Sequence, residues 1–298
     1  MLTMFVEVIL PVFLIFGVGF IGQKQMNLDI KSVSSVALYF MMPALVFRTF
    51  FTIELNLEYL YIVIFSLLLL FTIIFIVMTT SRMFKLSSST ESGLILSTAF
   101  MNSGNYGTPV ILFAFGEKGF VYSISFIVLQ TIIMHSFGVY FAARGKTGIK
   151  SAIMTIFKIP AIYAFGLAML WKGFNIPMSD SFFKAIDLVA GATIPTVMLV
   201  LGMQLANIKL DQFEWNKMSY AIVLRLIASP LIAWIITLWL PIDPLLKKVL
   251  IVSAAMPSAA TITMYALQFD SEPKFVSSVT LMTTILSAAT LSVLLYFI

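Results

Sequence analysis

The sequence predicts an all-α polytopic membrane protein of ten transmembrane helices, written as two inverted five-helix repeats whose fourth and ninth helices are broken. Three observations predict this. The 298-residue chain is 60% hydrophobic and 10% charged, against roughly 25% charged residues in a soluble domain. Mostly apolar stretches long enough to cross a hydrocarbon core of roughly 30 Å follow one another with short polar breaks and leave no segment over for a soluble domain. The second half of the chain repeats features of the first in the same order.

In chain order the spans lie at about 2–22, 33–53, 59–81, 92–115, 119–143, 149–171, 182–206, 217–240, 246–269 and 275–297. The first begins at Met1 with no basic n-region, carries Glu7 and has no small-residue cleavage site before "GQKQ", so it reads as a retained helix and not a signal peptide. The second holds Pro43, the sixth Pro160 and the seventh Pro195. With Pro11, these read as kinks or close-packing points between helices. The fourth is interrupted by "NSGNYGTP" (102–109) and the ninth by "MPSAATIT" (256–263).

Ten crossings put both termini on one side. Lys24, Lys31, Arg82, Lys85, Arg144, Lys146, Lys150, Lys158, Lys209, Lys217 and Lys274 then fall on one face of the membrane, and Arg48, Lys118, Lys172, Lys184, Lys247 and Lys248 on the other. The bias of 11 against 6 places the "ARGKTGIK" loop in the cytoplasm and both termini outside. The net charge of +5 is explained by these loops and implies no nucleic-acid partner. The absence of cysteine excludes disulfides and thiol chemistry.

The repeat is visible by eye. A shift of 155 residues aligns "AFMNSGNYGTPVILFAFGEKGFVYS" (99–123) with "AAMPSAATITMYALQFDSEPKFVSS" (254–278) without a gap, with nine identities in 25 positions. "PVFLIFG" from Pro11 matches "PAIYAFG" from Pro160, and "MMPALV" around Pro43 sits opposite "TIPTVM" around Pro195. Five spans per half, an odd number, require the second copy (149–298) to enter the membrane opposite to the first (1–144), the architecture associated with alternating access about a midplane site.

Non-helical backbone survives at membrane depth only where protein or a watery cavity surrounds it. Pro109 would orphan the carbonyl of Asn105 and Pro257 that of Ser253, while Gly104 and Gly107 ease non-helical torsions. Half-helices meeting at such breaks expose free N–H groups at one terminus and carbonyls at the other, a pattern suited to an anion. Asn102, Ser103, Asn105, Tyr106, Thr108 and Pro109 from one copy, with Pro257, Ser258, Thr261, Thr263 and Tyr265 from the other, are the candidate binding residues. No carboxylate lies in either break.

With "AFMNSGNYGTPV", "AAMPSAATITMYALQF", "YFMMPALVF" and the ten-span length, the chain resembles the auxin efflux carrier family in its bacterial branch. The resemblance implies a ten-helix fold of two inverted repeats, related to the sodium-coupled bile acid transporters, in which the fourth and ninth helices cross and a small organic anion such as auxin, malonate or malate binds at the crossing. It implies a bacterial cell membrane as location, a homodimer as the assembly and no cofactor. Asn102 and Asn105 stand where the family places polar residues beside the fourth-helix break, and Pro257 at the ninth. Plant members carry a proline within the asparagine cluster, whereas here it falls later, at Pro109, and their long cytoplasmic loop is reduced to "ARGKTGIK".

Ionisable groups inside the spans are functional candidates. Arg225, in "VLRLIASP", is about eight residues into its helix, roughly 12 Å at the helical rise. It is placed to snorkel or pair, or to meet a second substrate carboxylate. His135 is the only histidine; it reads as packed between helices and bonded to a carbonyl, with proton coupling as the rival role. Glu7 and Arg48 read as interfacial anchors, and Gln130 and Gln204 as lining for a polar pocket. The rival functions are a sodium-coupled anion symporter, a membrane receptor, and a membrane enzyme. The enzyme lacks a nucleophile with a positioned base and a metal-ligand cluster.

Overall fold

The computed structural model describes residues 2–53, 56–143, 159–208 and 214–298. The "ARGKTGIK" loop, from Arg144 on, and Lys209 lie outside the described residues. Among the described residues eleven helices follow one another: α1 (Leu2–Met26), α2 (Ile30–Thr52), α3 (Leu57–Met83), α4 (Ser88–Ala99), α5 (Ser103–Ala143), α6 (Pro160–Gly173), α7 (Asp180–Asn207), α8 (Trp215–Leu238), α9 (Pro244–Ala254), α10 (Thr261–Phe269) and α11 (Pro273–Phe297). No β-strand occurs among the described residues. Short polar side chains start the helices by capping free N–H groups. Asp29 accepts from Lys31 N–H, Asn56 from Glu58 N–H, Ser87 from Thr90 N–H and Asp243 from Leu245 N–H.

Seven of these helices, α1, α2, α3, α5, α7, α8 and α11, are long and apolar enough to cross a membrane. This differs from the ten expected spans for physical reasons. The fourth and ninth expected spans are split into pieces: α4, α9 and α10 have 12, 11 and 9 residues, well short of the roughly 20 a crossing needs. The second piece of the fourth is joined to the fifth at Gly116 within the 41 residues of α5. A single non-helical residue, Gly116 at φ 65° and ψ −163°, bends α5 where a side chain would be strained. The sixth is described only from Ile159.

Among the described residues five π turns widen the helices, at Phe5–Ile9, Ala37–Met41, Ser103–Gly107, Met134–Gly138 and Leu224–Ala228. Four of them end two residues before a proline, Pro11, Pro43, Pro109 or Pro230. A proline lacks the N–H and its ring collides with the carbonyl four residues back; a wider turn relieves both faults without ending the helix.

The helices pack as two groups. In one, α7 lies along α1 and α2, and α6 along α2. The contact is backbone to backbone: a Cβ on Gly19 would lie 2.2 Å from the carbonyl oxygen of Leu199, and one on Gly202 2.0 Å from that of Phe16, the close approach that small residues allow between membrane helices. Arg48 of α2 pairs with Asp187 of α7 at 3.1 Å, so it joins two helices rather than standing as a lone interfacial anchor. In the other group α4, α5, α8, α9, α10 and α11 surround the breaks. Large apolar side chains such as Leu14, Phe75, Leu188 and Trp239 point outward, as they do where the solvent is lipid.

Candidate anion site at the meeting of the two breaks

The breaks at 100–102 and 255–260 meet face to face. Asn102 N–H donates to the Pro257 carbonyl at 2.8 Å and Ala259 N–H to the Phe100 carbonyl at 3.0 Å, an antiparallel bridge centred on Met101 and Ser258. Each break thereby supplies the backbone partners that the other lost, which is how non-helical chain persists away from water. Asn102 and Pro257 are equivalent under the 155-residue shift, so the bridge joins matching positions of the two copies. Ser258 is tied on its far side, with its N–H donating to Thr283 Oγ1 at 3.2 Å and its Oγ donating to the Ser97 carbonyl at 2.5 Å.

The Ser253 carbonyl, expected to be orphaned by Pro257, accepts from Met256 N–H at 3.3 Å through a tightened last turn. The carbonyl in need of an outside donor is Ala254, and Arg225 meets it. The Arg225 side chain is fully buried; Nη1 donates to the Thr98 carbonyl at 2.7 Å, and Nη2 to Ser229 Oγ at 2.7 Å and to the Ala254 carbonyl. Ser229 Oγ also donates to Ala254 at 2.9 Å. Arg225 therefore does not snorkel. Carbonyls at the C-terminal ends of α4 and α9 replace water within its reach.

On the opposite side of the bridge lies a cavity of about 290 Å³, at the small end of the roughly 300–1,000 Å³ range of ligand pockets. Its floor is Phe100 to Asn105 with Ala259 and Thr261, and its walls are Gln130, Thr131, Met134 and His135 of α5 and Leu38, Tyr39, Met42 and Val46 of α2. Ile159, Pro160 and Ala161 close one edge. The first turns of α5 and α10 thus face the cavity, and a first turn leaves N–H groups without intrahelical acceptors. Asn102 and Ser103 are each 5% exposed, and Asn102 Nδ2 and Ser103 Oγ have no hydrogen-bond partner among the described residues. Among the described residues of this lining, His135 is the one ionisable side chain apart from the Tyr39 phenol.

Six of the sequence-predicted residues converge on this cavity: Asn102, Ser103, Asn105, Thr261, Gln130 and His135. His135 Nδ1 shares a 2.7 Å hydrogen bond with Tyr265 Oη, a hydroxyl and not the expected carbonyl. The others serve the frame. Tyr106 is fully buried, edge-on to Phe13 and Phe16, and its Oη accepts from Ser287 Oγ at 2.9 Å. Thr108 Oγ1 donates to the Ser103 carbonyl at 3.0 Å, and Thr263 Oγ1 to that of Ala260 at 2.7 Å. Pro109 follows the π turn that absorbs its missing N–H. Pro257 contributes its carbonyl and Ser258 faces away from the cavity. Gln204 lies in α7, off the cavity lining, with Oε1 unpartnered among the described residues.

Sequence reasoning missed Leu38, Tyr39, Thr131, Ile159 and Ala161. The signal for the first two was Pro43, whose π turn presents Leu38 and Tyr39; it reads in sequence as a packing kink.

Comparison with known proteins groups the chain with membrane transporters. The chain matches the family model described as membrane transport protein over residues 4–295. It is 29% identical over 270 residues to an uncharacterized transporter of Methanocaldococcus jannaschii, covering 86% of each chain. It is 30% identical over 207 residues to one of Methanothermobacter thermautotrophicus, covering 69% of this chain and 68% of that one. A Rhizobium meliloti protein named "Putative malonate transporter" is 25% identical over 238 residues, 76% of this chain and 73% of its own. An all-helical, multi-pass chain with two breaks bonded to each other, matched along nearly its whole length, belongs to the auxin efflux carrier family of membrane transport proteins.

Proposed function

We propose that this protein is a secondary carrier of a small organic anion, a mono- or dicarboxylate such as malonate, malate or an auxin-like acid, working by alternating access about the paired breaks. The single observation that carries the reading is the polarity of the bridge. Both helix N-termini and the unpartnered Asn102 Nδ2 and Ser103 Oγ face the cavity, and both helix C-termini face Arg225. A helix N-terminus carries about half a positive charge, so two of them with neutral donors attract a carboxylate without a permanent cation among the described lining residues. The relative named for malonate supports a small dicarboxylate, as does the cavity size.

In this reading the chain crosses the membrane ten times as two inverted repeats, 1–144 and 149–298, with α4 and the start of α5 forming one broken crossing and α9 with α10 the other. The bridge between equivalent positions, Asn102 and Pro257, supports the repeat. Both termini are extracytoplasmic, the membrane is a bacterial plasma membrane and the assembly is a homodimer. The cavity beside Asn102 then opens toward the cytoplasm, because its rim is formed by the basic-side ends of α2, α5 and α6. A second cavity of about 320 Å³, lined by Leu45, Arg48, Leu112, Glu117, Ile194 and Met198 among others, supports an opposite vestibule: Met42 and Val46 of α2 face the first and Leu45 and Arg48 the second. Alternating access exchanges which of the two communicates with the bridge.

The test is flux of labelled malonate, malate and indole acetate into proteoliposomes, with and without sodium, proton and potential gradients. Saturable flux of one of these anions is expected; no flux of any organic anion overturns the reading.

A further inference from the structure

The side of the bridge away from the cavity contains Arg225, the most deeply buried charge among the described residues. The C-terminal ends of α4 and α9 converge there, and each helix C-terminus carries about half a negative charge. Two ends sum to about one negative charge. In membrane carriers with broken helices such a cluster of carbonyls is where a sodium ion is coordinated: oxygen ligands from unwound chain, converging at hard-cation distance. Here the cluster consists of the Thr98 and Ala254 carbonyls and Ser229 Oγ, and all three are bonded to the Arg225 guanidinium. No carboxylate pairs with Arg225 among the described residues. Arginine does not lose its proton in proteins, and its planar fork reaches two carbonyls on different helices at once.

We infer that Arg225 is a resident counter-cation of the bridge: it occupies the position between the two half-helix C-termini that a coupling cation would otherwise fill, so the broken helices are held in register without one. This deepens the carrier reading by removing the sodium-coupled alternative for this chain, and it rests on that reading only for its consequence in transport. Arg225 is a positioning residue, acting on the anion cavity through the bridge. The π turn Leu224–Ala228, ahead of Pro230, places it, and Ser229 on the next turn completes the carbonyl clamp from the same helix.

The experiment measures thermal unfolding of detergent-solubilised protein, without substrate, in chloride salts of sodium, N-methylglucamine and guanidinium at low millimolar concentration. Three forms are compared: wild type, Arg225→Gln and Arg225→Lys. The wild type is expected to unfold at one temperature in all three salts. Arg225→Gln, which keeps hydrogen-bond donors but removes the charge, is expected to unfold lower and to regain about 5 °C in sodium or guanidinium relative to N-methylglucamine. Arg225→Lys, with the charge kept, is expected to fold and to stay indifferent to the salt. A wild type stabilised by sodium as strongly as Arg225→Gln overturns the inference, as does a folded Arg225→Gln that ignores both small cations. If Arg225→Gln does not fold in any salt, Arg225→Lys decides: its folding sustains the inference, and its failure overturns it, because shape and not charge would then be what Arg225 supplies. Since no organic anion is present and chloride is common to all three salts, a failure of the carrier reading leaves this measurement untouched.

Discussion

The two breaks are equivalent in sequence and unequal in use. The first, at 100–102, points Asn102, Ser103 and Asn105 into the cavity and leaves Asn102 Nδ2 and Ser103 Oγ unpartnered. The second, at 255–260, spends its polar groups on the frame: Ser258 is bonded on both N–H and Oγ to α11 and α4, and only Ala259 and Thr261 reach the cavity. Two stretches that align in sequence therefore need not contribute equally to one cavity. In the proposed carrier the first break is the ligand face and the second the clamp, because a bridge has two sides and one cavity can use only one of them.

Four substitutions break or sharpen that comparison. Asn102→Ala removes a buried free donor from the cavity and is expected to weaken binding of the transported anion about 10- to 100-fold, the worth of a hydrogen bond to a charged group, with the unfolding temperature unchanged. Titration of the purified variant against wild type measures this, and equal affinities would move the site off the first break. Thr261→Ala removes the one hydroxyl the second break offers. The loss expected is about 3- to 10-fold, as for a neutral bond, and a loss exceeding that of Asn102→Ala would reverse the assignment of the two faces.

Ser258→Ala should leave affinity alone and lower stability by about 1 kcal/mol, through the lost bond to Ser97, a fall of about 2–4 °C in unfolding temperature for a chain of this order of size. An affinity loss without that fall would place Ser258 among the ligands. The smallest effect is expected for Tyr106→Phe, which removes only the hydroxyl bonded by Ser287. Its unfolding temperature drops by no more than that of Ser258→Ala, and anion binding is unaltered, since the ring packing against Phe13 and Phe16 remains.

Much of the arrangement was legible in advance, and what was not has definite causes. Pattern and composition marked the long helices and both breaks, because apolar length and proline act locally. The sequence placed the end of one span at 115 and the start of the next at 119, whereas the single positive-φ residue, Gly116, that joins them was not legible. Pro11, Pro43 and Pro160 read alike as packing kinks. Yet Pro43 sits behind a turn that lines the cavity and Pro160 lines it directly, a difference set by which neighbour each helix faces. Tyr106 and Thr108 look like ligands within an asparagine-rich stretch, but the wide turn at Ser103–Gly107 rotates them toward Phe13, Phe16 and the chain's own carbonyl.

The sequence by itself determined that this is a multi-pass membrane protein with two interrupted helices and no buried acid in either interruption. Residue type and apolar length suffice for that, because hydrocarbon imposes the same demand on every backbone group. Only the tertiary structure decided which side of each break faces the cavity, that the breaks satisfy each other through Asn102 and Pro257, and that Arg225 closes their far side. The Asn102–Pro257 and Arg225–Thr98 contacts join residues more than a hundred positions apart, and a charge eight residues into a helix reads as a snorkelling arginine until the carbonyls of Thr98 and Ala254 are brought to it.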